Sequence, residues 1–302
     1  MNIRGYIDIH THGIGNFDTR TDNPEDILKM AELHGRKGTG GILPTIYPAS
    51  IAEMRGNMEA VRKAMESQIH GLKPQSATII GINIEGPFLN PLRCGALDKK
   101  YFIKPAMFSF NKLIDGYEDI IKIITIAPEI PGALKVMEKC VERGIRVNMG
   151  HSDATYKQAF DGKKAGATGI THIFNAMRPF HHREPGLVGL GLLDNELYLE
   201  VIADGVHLHP KVLELIFNRK RLDRIILVSD SVSPVRKSGR GFFPNGVKSG
   251  KKKGKPVYGR KGVLAGSGIT ISGAMKVLKS IGIPEAEITE AAVDNPGRYL
   301  SL

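Results

Sequence analysis

The strongest constraint on this chain is a repeat. Short apolar runs alternate with longer helical stretches, and there are eight such runs. They lie at 5–10 (GYIDIH), 41–46 (GILPTI), 78–86 (TIIGINIEG), 121–129 (IKIITIAPE), 145–152 (IRVNMGHS), 169–175 (GITHIFN), 197–205 (LYLEVIADG) and 224–231 (RIILVSDS). Most are apolar throughout, as expected of parallel strands covered on both faces. Helical stretches are read at 23–38, 50–68, near 131–143, near 155–165 and near 210–219. In the first of these Asn23 can cap, Pro24 suits the first turn and Gly38 ends the pattern. Eight strand–helix units predict a closed (β/α)8 TIM barrel, with an open doubly wound sheet as the alternative. The 302 residues fit one barrel domain, whose usual size is roughly 250 residues. Residues 262–282 lead into the last barrel helix, and 284–300 add one more.

Charge bears on what such a barrel could bind. The chain carries 42 lysines and arginines against 31 acidic residues, a net +11. Ten of the basic residues fall between Ser231 and Lys261, a stretch with no Asp or Glu, so the remainder is near neutral. This Gly/Lys-rich excursion after the eighth strand reads first as a solvated loop. Its functional alternative is an electrostatic funnel for an anionic substrate or a contact with a polyanion. No apolar run approaches the roughly 20 residues of a membrane span. The first residues are interrupted by Arg4, Asp8 and His10, and Cys94 and Cys140 give no disulfide framework. A cytoplasmic protein with free thiols is the expectation.

The polar residues fall where a barrel would gather them. Strand 1 ends in His10 and His12, strand 3 in Glu85, strand 5 in His151, strand 6 in His172 and strand 8 in Asp230. Strand 7 ends in Asp204, with His207 just beyond. The C-terminal ends of barrel strands converge on one face, where active sites are built. A lone strand-end histidine is more often structural, and the serine or aspartate of GHSDA could simply cap the next helix. Six metal-competent side chains at five strand ends are not independent accidents. Imidazoles with carboxylates suit zinc, iron or a similar divalent metal. Such an ion lowers the pKa of bound water towards about 7 and so supplies a nucleophile at neutral pH. Asp230 beside that water could take its proton and pass it to a leaving group.

A second cluster, THIFNAMRPFHHREPG at 171–186, reads either as an irregular loop or as an anion site. Arg183 provides the fork-shaped donor, and backbone N–H groups near Asn175 and Ala176 could assist. Together DIHTHG, IEGPFLNP, IAPE, GHSDA, THIFNAMRPFHHREPGLVG, IADGVHLHP, LVSDS, VLAGS and the pair Asn295–Pro296 resemble the N-acetylglucosamine-6-phosphate deacetylase family of the amidohydrolase superfamily, from about residue 5 to 300.

The resemblance implies that Glu85, His151 and His172 hold the main metal. His10 and His12 match a pair that in some members binds a second metal, with Glu85 bridging. It implies Asp230 as general base and then acid, and His207 as a substrate contact beside the reacting acetamide. Asn175, Ala176 and Arg183 are implied to contact the sugar and its 6-phosphate, Arg183 from the neighbouring subunit of a homodimer. The implied reaction is hydrolysis of N-acetylglucosamine 6-phosphate to glucosamine 6-phosphate and acetate.

Three departures qualify the match. Family members carry segments before the first strand and after the last helix that form a small β-sandwich, which leaves a barrel-only version as the expectation here. Leu97 stands where many members have histidine or glutamine reaching the substrate, which keeps open a nucleotide-linked or other acetamido sugar. The sequence KSGKKKGKP replaces a more mixed hairpin, which keeps open a polyanion-binding barrel, although that reading gives the strand-end ligands no purpose. The His10/His12 pair favours a two-metal site. Elemental analysis of the metal-replete protein is expected to find two ions per chain, and one tightly bound ion would overturn that reading.

Overall fold

The computed structural model describes residues 3–71, 73–233, 257–258 and 263–302. Eight parallel strands run β1 (Tyr6–Thr11), β2 (Thr39–Ile46), β3 (Ile82–Glu85), β4 (Ile121–Ile126), β5 (Arg146–Met149), β6 (Ala167–Ile170), β7 (Tyr198–Ile202) and β8 (Ile225–Val228). Each pairs with the next in chain order. The ring closes where β8 meets β1. There Asp230 N donates to His10 O (2.9 Å), His12 N to Ser231 O (2.9 Å), and Ser229 N to the Asp8 carboxylate (3.1 Å). The closed barrel is therefore correct and the open sheet is not.

A helix follows every strand: α1 (Pro24–Gly35), α2 (Ile51–Ile69), α3 (Met107–Ile114), α4 (Ala133–Glu142), α5 (Tyr156–Lys164), α6 (Gly186–Leu193), α7 (Pro210–Arg219) and α8 (Ile271–Ser280). Local chemistry sets several boundaries. Asn23 accepts from Glu25 N ahead of Pro24, and Thr155 and Gln158 form a reciprocal capping box. The sequence reading missed α3 and α6. The first is short and its N-terminus has no side-chain cap. The second, GLVGLGLL, is buried almost all round and carries no amphipathic period to reveal it. Several strands are also shorter than read. β5 and β6 stop at Met149 and Ile170, so His151 and His172 stand in the turns beyond them.

Alternate residues of β8 divide between two cores. Ile225 and Leu227 join the large cluster against the helices, with Val61, Met137, Leu213 and Ile271 among its members. Ile226 and Val228 pack with Ile7, Ile9, Leu43 and Ile123, and with Tyr299 and Leu300 from the terminal helix Asn295–Leu300. Outside the barrel, the described residues form only short pairs, Gly13–Ile14 with Phe17–Asp18 and Val257–Tyr258 with Leu264–Gly266, and no sandwich sheet. No described helix is long and apolar enough to cross a membrane. Most of the basic excursion lies outside the described residues.

The β8–β1 seam carries a pH-sensitive group. His34 of α1 is fully buried, with Nε2 3.0 Å from the Thr11 hydroxyl, which in turn contacts Ser231 Oγ at 2.8 Å. Burial pushes its imidazole down from 6.5 to about 4. Between those values the unfolded chain binds a proton that the folded chain does not, so stability falls as pH drops from 6.5 towards 4 and is level above. A His34→Gln variant should lose that slope. In urea unfolding at pH 7 and pH 5, the parent should lose about 2 kcal/mol more than the variant. Equal losses would remove His34 from the account.

Candidate active site

The five strand ends meet at one point. Glu85 is the last residue of β3, His10 lies in β1, and His12 follows it. His151, His172 and Asp230 each stand two residues past their strands, with φ of 47°, 29° and 44°. Non-glycine residues seldom adopt such left-handed angles, and the strain persists only where surrounding structure imposes it. The turns aim all three side chains inward. His151 Nε2 and His172 Nε2 each lie 3.0 Å from Glu85 Oε1, and His12 Nε2 lies 3.3 Å from Glu85 Oε2. His10 Nε2 is 3.3 Å from His12 Nε2, and both lie within 3.8 Å of Asp230 Oδ1. Glu85 thus presents one oxygen to His151 and His172 and the other to His12.

Hydrogen bonding fixes where the imidazole protons are. His12 Nδ1 faces Thr45 O at 2.9 Å, and His151 Nδ1 faces Arg93 O at 2.9 Å. A carbonyl only accepts, so Nδ1 holds the proton in both rings and Nε2 carries a lone pair. His10 Nδ1 lies 2.9 Å from Glu200 Oε2; to the ionised carboxylate it donates, which leaves its Nε2 bare as well. Burial drives His10 down to about 4 and lowers His12 and His172, so these rings are neutral near pH 7.

In their neutral form these rings turn bare Nε2 atoms towards one another and towards the Glu85 oxygens. Burial alone would raise Glu85, yet His151, His12 and His172 hold it well below the usual carboxylate range. Burial, reinforced by Glu85 and Glu200, pushes Asp230 well above that range. Burial also lifts Glu200 to about 8 and Asp8 to about 7. Among the described residues, the ion pairs of Glu85, Glu200 and Asp230 are with histidine alone.

A divalent cation is what this donor set fits. Ligands at about 2.0–2.1 Å in a tetrahedral shell stand roughly 3.3–3.4 Å apart, within the spread of the observed separations. His10, Glu85 and His172 offer atoms all within 4.8 Å of one another, as do His10, His12 and Asp230. The Nδ1 anchors are the outer contacts that orient metal-binding histidines.

A cavity of about 350 Å³ opens above this cluster. His207 lines it, its Nδ1 2.8 Å from Asp204 Oδ2, while Asp204 Oδ1 accepts from the N–H groups of Val206 and His207. Asn175 and Ala176 also line it. Arg183 does not join them. It is exposed, its guanidinium 2.9 Å from His182 Nε2, and lies outside the cavity wall of its own chain. Leu97 is in the wall and packs with Tyr47, Val232 and Ala265, an apolar side that offers the substrate no hydrogen bond.

Sequence reading missed Tyr47, which stacks on the His12 ring with centroids 3.7 Å apart and carries the Arg20 guanidinium on its other side. It also missed Glu200, whose signal was an acidic residue inside the apolar run LYLEVI. The carbonyls of Thr45 and Arg93 leave no sequence signal at all.

The amidohydrolase family pattern matches residues 3–282. The chain belongs to the amidohydrolase family. Within that family it is 31% identical over 298 residues to an N-acetylgalactosamine-6-phosphate deacetylase of Escherichia coli O157:H7, covering 98% of this chain and 77% of that protein. It is 32% identical over 304 residues to the N-acetylglucosamine-6-phosphate deacetylase of Bacillus subtilis, covering 99% and 75%. Among solved amidohydrolase structures, a mutant of the Mycobacterium smegmatis N-acetyl-D-glucosamine-6-phosphate deacetylase, in complex with N-acetyl-D-glucosamine-6-phosphate, superimposes with a TM-score of 0.86 at 28% identity. The match covers 99% of this chain and 78% of that one. The chain thus spans about three quarters of the length of these relatives.

Asn at position 230 keeps a ligand oxygen but cannot take up a proton. Asp230→Asn should keep its divalent metal by elemental analysis while kcat falls about 10²–10⁴-fold. Near-normal turnover would exclude an acid–base role for this residue.

Proposed function

We infer that this protein hydrolyses the acetamide of an N-acetylated hexosamine 6-phosphate, releasing acetate and the amino-sugar phosphate. The observation that carries the reading is the ring of neutral imidazoles and carboxylates at the floor of a cavity, in a chain whose whole length matches deacetylases. His10, His12, Glu85, His151, His172 and Asp230 would hold zinc or iron, as one or two ions per chain. Bound there, a divalent cation supplies Lewis acidity and a water that is nucleophilic at neutral pH.

The chain's own groups do the rest. Asp230 takes the proton of the attacking water and returns it to the sugar nitrogen as the C–N bond breaks. His207, its Nδ1 held by Asp204, stands beside the reacting acetamide as a substrate contact. Asn175 and the backbone at Ala176 orient the sugar from the opposite wall. Arg183 would serve the phosphate from the partner subunit of a homodimer, consistent with its exposure in its own chain. Two free cysteines, one of them buried, agree with a reducing cytoplasm. One barrel domain spanning residues 1–302 is part of the same proposal.

Leu97 motivates a second reading, in which the substrate is a nucleotide-linked or other acetamido sugar. Acetate release by metal-replete protein decides between them. N-Acetylglucosamine 6-phosphate or its galactosamine epimer should be turned over well ahead of the free and nucleotide-linked sugars. Failure to release acetate from either phosphate would overturn the proposal.

A further inference from the structure

Three of the four histidines of the candidate metal centre, His10, His12, His151 and His172, are anchored through Nδ1, and the anchors are not alike. His12 and His151 lean on backbone carbonyls, whereas His10 leans on a side chain, Glu200. Glu200 sits in the middle of β7 and is 1% exposed. Its Oε2 accepts from His10 Nδ1–H at 2.9 Å and, more weakly, from His172 N at 3.4 Å. Its Oε1 accepts from Asn148 Nδ2 at 2.7 Å. The Asn148 oxygen accepts in turn from the Tyr299 hydroxyl of the terminal helix, which lies 3.0 Å from Thr168 Oγ1. A chain of hydrogen bonds thus runs from Thr168 and Tyr299 at the base of the barrel, through Asn148 and Glu200, to His10. The backbone makes room for it at Gly169, where any Cβ would collide with Asn148 and the Tyr299 hydroxyl.

We propose that Glu200 is the positioning residue of the ion held by His10 and His12, and that it makes His10 a ligand by holding the proton on Nδ1. An ionised Glu200 can only accept, so each side-chain contact to it is then a donor, both oxygens are committed and the carboxylate cannot turn away. A glutamine there has one acceptor oxygen for two donors. Either Asn148 reverses its amide or His10 loses its acceptor, and in the second case the ring proton moves to Nε2 and occupies the position the ion needs. His151 and the Glu85 oxygen it faces have no contact with Glu200, and His172 meets it only through the long backbone contact of 3.4 Å, so the second ion position should change little. The proposal rests on the strand-end cluster being a metal centre and is independent of which sugar is hydrolysed.

Titration of the metal-stripped protein with Zn²⁺ alone, followed by calorimetry and elemental analysis, tests it. The parent chain should show two binding events. Glu200→Gln should weaken one of them about 10–100-fold, the scale on which outer contacts to metal-binding histidines act. It should leave the other event and the Tm of the metal-free protein unchanged, and the weakened event should be the one that His10→Gln abolishes. Tyr299→Phe, which removes only the hydroxyl behind Asn148, should weaken the same event by less, and carries the test if Glu200→Gln does not fold. Two unchanged events, equal weakening of both with a lower metal-free Tm, or a single event in the parent chain would each overturn the proposal. A parent chain that binds no Zn²⁺ would overturn the metal-centre reading as well, whatever the acetate assay gives.

Discussion

Everything at the mouth of this barrel depends on lone pairs that face each other with no proton between them. His12 and His151 must carry their protons on Nδ1 because each meets a carbonyl there. Their Nε2 atoms then point, bare, at one another's neighbours and at Glu85. Such an arrangement is repulsive in a buried, weakly polarisable setting unless a cation lies among the donors. The same residues that look like an electrostatic fault in isolation are therefore a coherent ligand set.

The fold holds this unfavourable arrangement in place by closing on itself at the site. The seam between β8 and β1 is made by His10, His12, Asp230 and Ser231 backbone groups, so the barrel's last hydrogen bonds and its chemistry share the same residues. Three site residues adopt left-handed backbone angles just beyond their strands, which turns them inward where an extended chain would have carried them past the rim. Loops from neighbouring strands lock those turns. Glu129 accepts from Asn90, Ser152 and Asp153, and Asp153 is gripped by Arg93 and Arg178. Arg93 also supplies the carbonyl that orients His151, so one network fixes both the rim and a ligand.

Membership of the amidohydrolase family accounts for the ligands but not for the wall they sit under. Leu97, Tyr47 and Ala265 line one side of the cavity with Val232 packed against them, and Tyr47 braces His12 at the same time. A single aromatic ring thus touches both the cavity and the histidine cluster.

The sequence by itself determined the strand–helix alternation, the closed barrel and the residues of the strand-end cluster, because period and residue type are local properties that survive without tertiary contacts. His10, His12, Glu85, His151, His172 and Asp230 were all legible as polar residues at the ends of apolar runs. The tertiary structure alone decided the rest. Backbone carbonyls of Thr45 and Arg93 set two tautomers, and any residue type could have supplied them. Glu200 becomes meaningful only when the closed ring brings the side chains of β7, β5 and β1 together in the barrel interior. α6 was invisible because burial on all sides removes the amphipathic signal. Arg183 faces solvent in the folded chain, and the direction a side chain takes depends on packing that no linear motif encodes.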